Sequence, residues 1–210
     1  MKSIKEKILS KIRKLGAGYA FSAKDFLNDF KRYEVDVALS TLAKEEIIHR
    51  ILPGIYELPR YSKLLDMTVA SDMYSVAQAL ARKFSWRIFP CGNTALNYLG
   101  LSTQIPGHIH FLTDGPSRTY YVDGRDMTFT HVTQHELLFP HTESTLVVQA
   151  LKALGKEHLD NDVIRRLRSR YSIALWKKIA SDTSKACGWI HDFIQLVSNE
   201  EHQYEKHYQT

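Results

Sequence analysis

Three observations predict an α+β fold for this chain. The first sixty residues carry helical periodicity and end in two short apolar runs joined by Pro53-Gly54. Residues 108–132 form three strand-like runs separated by turns at Asp114-Gly115-Pro116 and Asp123-Gly124. From Glu143 onward the periodicity is helical again. The predicted architecture is an N-terminal unit of helices and a hairpin (residues 1–60), then a mixed α/β domain (61–210) with a small antiparallel sheet and a helical C-terminal region.

In the first unit, Ile4, Ile8, Ile12 and Leu15 form the apolar stripe of a helix that Gly16 and Gly18 end. Tyr19-Ala20-Phe21 is strand-like. Ser22 stands where an N-cap belongs, with Asp25 in the first turn, and Phe26, Leu27 and Phe30 give a second helix its apolar face. A turn follows at Lys31-Arg32. Val35, Ala38, Leu39 and Leu42 form the stripe of a third helix. The run from Ile47 to Leu52 reads as a strand, Pro53-Gly54 turns the chain, and Ile55 to Leu58 returns as its partner, closed by Pro59. Helix, short strand, helix, turn, helix, hairpin is the order of a winged helix-turn-helix domain.

In such a domain the third helix buries one stripe and offers its opposite face to a major groove. The free face here carries Asp36, Val37, Ser40, Thr41 and Lys44. Ser40 and Thr41 can bond base edges or phosphates, and Lys44 can pair with a phosphate. Lys31 and Arg32 lie at the turn into this helix, His49 and Arg50 on the wing strand, and Arg60 just beyond it. Residues 1–60 hold twelve Lys and Arg against eight Asp and Glu, a net of +4 out of +5 for the whole chain. The pattern points to double-stranded DNA as the partner. Glu34 and Asp36 would repel phosphates, although they suit a helix N-terminus. A protein-interaction module that no longer reads DNA is therefore the competing reading.

In the second region a helix is predicted from Asp72 to Phe84, with Val76, Ala77, Leu80 and Phe84 on one side. Trp86 to Phe89 is a short strand. Gly92-Asn93-Thr94 opens a helix that ends near Gly100, and strands follow at 108–113, 118–122 and 127–132. Three further helices carry Leu146, Val147 and Leu151; Val163, Leu167 and Tyr171; and Ile190, Phe193 and Val197.

Two stretches resemble a known family. The run Val35-Asp36-Val37-Ala38-Leu39-Ser40-Thr41-Leu42, with Ile47 through Tyr56, looks like the N-terminal domain of AbiEi-type antitoxins of type IV toxin–antitoxin systems. Gly92-Asn93-Thr94-Ala95-Leu96 through Ser102, with His110 to Thr113 and Thr128 to Val132, resembles the part that follows in the same proteins. The similarity covers about residues 1–135 and rests on an ordered series of short matches rather than one motif. It implies a DNA-binding domain that represses its own operon, and a C-terminal part that counteracts a nucleotidyltransferase-like toxin. A general transcriptional regulator without antitoxin activity is the alternative. The family has Gly before the wing strand where this chain has Glu46. Gly accepts a left-handed turn cheaply and Glu does not, so a differently built turn is an open alternative at this point.

Composition is that of an ordinary globular chain: 44% hydrophobic, 24% charged, 210 residues. The alternation of charged and apolar residues at the N-terminus is not that of a signal peptide, and no apolar run is long enough to span a membrane, so a cytoplasmic protein is expected. Cys91 and Cys187 match no zinc or redox spacing. No catalytic residue, metal or cofactor is expected. The Gly92-Asn93 turn faintly resembles that of nucleotidyltransferases, but the strand 108–113 lacks the paired carboxylates that would hold a divalent metal. His135-Glu136 begins like a zincin helix without its second His. His108 and His110 share one face of a strand, where hydrogen-bonded histidines are expected rather than a metal site, and Cys91, which could act as a nucleophile with either, is expected to be a small buried hydrophobe. A second basic face is formed by Arg165, Arg166, Arg168 and Arg170: residues 161–188 hold seven basic and two acidic groups. It is either a phosphate- or partner-contacting surface or a solvated helix face. Trp176 and Trp189 are expected to be buried rather than to stack on bases.

Overall fold

The computed structural model describes residues 3–64, 66–104, 106–133 and 139–199. Among these residues it is an α+β protein of eight α-helices and nine short strands, with small sheets and a helical C-terminal region.

Helix α1 (Ile4–Leu15) starts at a capping box. The Glu6 amide donates to Ser3 Oγ, and the Ser3 amide donates to the Glu6 carboxylate at 2.7 Å. Strand β1 (Ala20–Phe21) follows. The second helix expected from Ser22 to Phe30 is a single 3-10 turn, Ala23–Phe26. Ser22 and Asp25 do cap it, but Asn28 and Asp29 are weak helix formers and Leu27 stays exposed, so little burial favours extending it. Helix α2 (Arg32–Lys44) begins earlier than expected: Lys31 is its N-cap and Arg32 its first residue, so neither belongs to a preceding turn.

Strands β2 (His49–Leu52) and β3 (Ile55–Glu57) make the hairpin that the sequence predicts as a wing, and β1 joins β3 on its other side, giving the antiparallel order β1-β3-β2. Glu57 lies between Ala20 and His49, and Tyr56 between Phe21 and Arg50. Pro53-Gly54 closes the hairpin with Gly54 at φ +75°, a turn for which the Pro-Gly pair is suited. Under this sheet, Ile8, Ile12, Phe21, Phe26, Val35, Leu39, Leu42 and Ile48 form one buried cluster. Phe21 and Phe26 meet edge to face at 5.5 Å.

A second hairpin, β4 (Arg60–Ser62) with β5 (Met67–Val69), stands where no strand was expected. Helix α3 (Met73–Phe84) is capped by Asp72, whose side chain accepts the Tyr74 amide. It packs on β1 and on the 3-10 turn. Ser75 Oγ accepts the Ala20 amide at 2.8 Å, and Arg82 donates to Asp25 at 2.6 Å and to the Ala20 carbonyl at 2.8 Å. Helix α3 is thus built into the same unit as the first sixty residues.

Strands β6 (Ile88–Pro90), β7 (His108–Thr113), β8 (Arg118–Val122) and β9 (Arg125–His131) form a sheet of order β6-β7-β9-β8, with helix α4 (Gly92–Tyr98) between β6 and β7. Asp123 and Gly124 both have positive φ, the turn that an Asp-Gly hairpin predicts. The compact units of the chain are 1–88 with 113–128, and 89–112 with 129–210. In the second, α4, α5 (Thr142–Leu154), α6 (Asn161–Arg170), α7 (Ile173–Asp182) and α8 (Gly188–Ser198) enclose a core that includes Leu146, Val147, Leu167, Trp176, Ile179, Phe193 and Val197. Trp189 packs against it half-buried, so both tryptophans lie where the sequence places them.

Candidate nucleic-acid interface

Helix α2 buries Val35, Ala38, Leu39 and Leu42, each at most 4% exposed, and so turns a defined face outward. That face presents Asp36, Val37, Ser40 and Lys44 as exposed side chains, with Tyr33 one turn earlier. Tyr33 and Val37, one helical turn apart, are 65% and 64% exposed, so the outward face carries an apolar pair. Tyr33 escaped the sequence reading; its spacing from Val37 is the signal that would have found it. Thr41 is half-buried and its hydroxyl donates to the Val37 carbonyl at 2.9 Å, so its proton is used inside the helix.

The acidic residues at the head of α2 have local partners. Glu34 accepts the Lys31 amide at 3.0 Å, which caps the helix, and Asp36 pairs with Arg32 at 2.7 Å. Their charge is thereby spent on the helix itself. Lys44 occupies the last turn, where a cation suits the helix C-terminus.

On the wing, Arg50 is exposed beside Tyr56. His49 is exposed and its Nδ1 lies 3.9 Å from Glu57. Glu57 is 2% exposed. Its Oε1 accepts the Ser71 hydroxyl at 2.8 Å, and its Oε2 has no partner among the described residues. Burial pushes the Glu57 carboxyl above its ordinary range, against the pull of the Ser71 bond and of His49, while Asp123 adds to the rise. Arg60, on β4, has its guanidinium beside Gly18. Lys83 of α3 was absent from the sequence reading, yet its Nζ donates to the Pro53 carbonyl at 2.7 Å, at the tip of the wing. Nothing in the local sequence marks it, because thirty positions separate the pair.

The second basic face divides into separate tasks. Arg165 and Arg166 both pair with Asp162. Arg168 donates to the carbonyls of Val197 and Leu196 at 3.0 and 3.1 Å, closing the end of α8. Arg170 donates to the Tyr98 carbonyl and lies over the Tyr98 ring at 5.8 Å.

The remaining polar groups are arranged as follows. Cys91 is 6% exposed, and burial pushes its thiol up to about 11, far from a thiolate at neutral pH. His110 bonds Thr130 at 2.7 Å, and burial with the nearby His108 lowers its pKa. Ser144 and His141 both bond one oxygen of Asp182, at 2.6 and 2.7 Å. The serine therefore faces the carboxylate and not the imidazole, unlike a hydrolase triad. Desolvation would raise the Asp182 pKa, but the bonds from Ser144 and His141 prevail and hold it low. Among the described residues, no group of three or more His, Cys, Asp or Glu is placed to hold a metal ion. His135 and Glu136 lie outside the described residues. No helix of the described residues is long and apolar enough to cross a membrane.

A family of unknown function, DUF6088, matches residues 7–182, and the chain belongs to that family. No curated protein matches it.

Proposed function

We propose that this DUF6088 protein is a DNA-binding transcriptional regulator whose N-terminal unit is a winged helix-turn-helix. The observation that carries this reading is the outward face of α2: Tyr33, Val37, Ser40 and Lys44 stand clear of the core while the β2–β3 wing sits on the same unit. A three-stranded sheet of order β1-β3-β2 supports it, since this is the pairing expected when a wing hairpin is closed by the short strand before the second helix. In this reading α2 enters a major groove and Arg50 follows the adjacent backbone. Lys31, Arg32, Lys44 and His49 contribute phosphate contacts, and Ser40 reaches base edges.

The target proposed is the protein's own operator, and the further role is that of an antitoxin against a nucleotidyltransferase-like toxin. Both rest on the resemblance of residues 35–56 and 92–132 to AbiEi-type antitoxins. The test of the regulatory half is a mobility shift with duplex DNA from upstream of its own gene, against an unrelated duplex of equal length. Salt-sensitive, sequence-preferring binding is expected, and its absence at low salt overturns the reading. For the antitoxin half, co-expression with the adjacent gene product is expected to relieve growth arrest caused by that product. Unrelieved arrest removes it.

A further inference from the structure

We infer that Lys83 and Arg50 together form one phosphate-binding site at the wing, taking a backbone phosphodiester of duplex DNA. The inference rests on the DNA-binding reading and adds to it a residue outside the first sixty and a division of labour within the unit.

Lys83 leaves the last turn of α3 and ends in the wing turn. Its Nζ bonds the Pro53 carbonyl at 2.7 Å, lies 5.0 Å from the Phe84 ring centroid, and would stand 2.9 Å from a Cβ built on Gly54. A side chain at position 54 would make the ammonium shift. A lysine ammonium has three donors, and one is used. Among the described residues no carboxylate pairs with it.

The charges that reach Lys83 are both positive. Burial holds its ammonium below the ordinary lysine range, and Arg32 and Arg50 add to that. Among the described residues, Arg32 pairs with Asp36 and no carboxylate pairs with Arg50 or Lys83. The free protein therefore holds the Lys83 ammonium against like charge at an electrostatic cost. An anion between Lys83 and Arg50 changes the sign of that interaction. Their positions also suit one: Arg50 lies on strand β2, three residues before the Pro53 whose carbonyl Lys83 holds. Backbone phosphates flank a helix seated in the major groove on that side.

The test uses the full chain, a fluorescent duplex oligonucleotide and a salt series. Lys83→Gln removes the charge and keeps a polar side chain with an N–H donor. The slope of log affinity against log salt is expected to fall by about one for each charge removed, in Lys83→Gln and in Arg50→Gln. Lys83→Arg is expected to keep the wild-type slope, as is Lys178→Gln on α7 of the second unit. Wild-type binding with slopes unchanged in Lys83→Gln and Arg50→Gln overturns the site alone. So does an equal fall in Lys178→Gln. A wild-type chain that binds no duplex overturns both the site and the DNA-binding reading. If Lys83→Gln does not fold, Arg50→Gln decides the matter.

Discussion

The amide of Ile47 donates to the carbonyl of Leu42 at 3.0 Å, while the Glu46 amide donates to Ala43. These two bonds are a Schellman motif ending α2, and they force Glu46 into the left-handed region at φ +56°. The turn before the wing is therefore left-handed despite lacking glycine, and the alternative of a differently built turn falls. Glu46 carries strain that a glycine would not. Glu46→Gly is expected to raise stability by about 1 kcal/mol. In thermal unfolding this reads as a rise in Tm of about 2–4 °C for a chain of this size. An unchanged or lower Tm would show that the left-handed turn costs nothing here.

In the proposed DNA-binding reading, the outward face of α2 divides into residues that specify and residues that only attract. Val37→Ala and Ser40→Ala are expected to weaken binding to the preferred duplex by about 1 kcal/mol each and to reduce discrimination. Lys44→Gln is expected to weaken all duplexes alike. Competition binding with matched and mismatched duplexes separates the two classes. Equal effects across duplexes from all three variants would contradict the assignment.

Glu57 makes stability depend on pH in a particular direction. Its folded pKa is raised above the ordinary 4.5 by burial, so between these values the folded chain holds more protons than the unfolded one. Stability then falls as pH rises through that window, and the cost persists above it. Glu57→Gln is expected to gain stability relative to wild type as pH increases from 4.5, reaching a plateau above the folded pKa. Denaturant unfolding at a series of pH values gives the difference directly. A difference that does not change with pH would show that Glu57 titrates normally.

Arg168 is a structural residue of the second unit. Arg168→Ala leaves the carbonyls at the end of α8 without their cation and is expected to cost about 2 kcal/mol. Arg165→Gln and Arg166→Gln, which only lose exposed pairs to Asp162, are expected to stay within about 0.5 kcal/mol of wild type. Chemical denaturation of the three variants distinguishes them. Equal stability losses would mean that the four arginines act as one face after all.

What was legible in the sequence was whatever depends on near neighbours along the chain. The stripe Val35, Ala38, Leu39 and Leu42 predicted the buried side of α2 because helical spacing brings those positions together wherever the helix packs. Pro53-Gly54 and Asp123-Gly124 predicted their turns because φ preferences are local. The Ser22–Asp25 cap was also legible, but not that its helix stops after one turn, since that depends on how little the following residues bury. Tertiary structure alone decided that α3 belongs with the first sixty residues and that Lys83 reaches Pro53. It also decided that Glu57 is enclosed between neighbouring strands and that four arginines of one helix serve three different partners. Apart from the pairs of Arg165 and Arg166 with Asp162, which are helical neighbours, each of these joins residues far apart in the chain. Burial, charge proximity and hydrogen-bond partners of that kind arise only when the fold brings distant segments within a few ångströms.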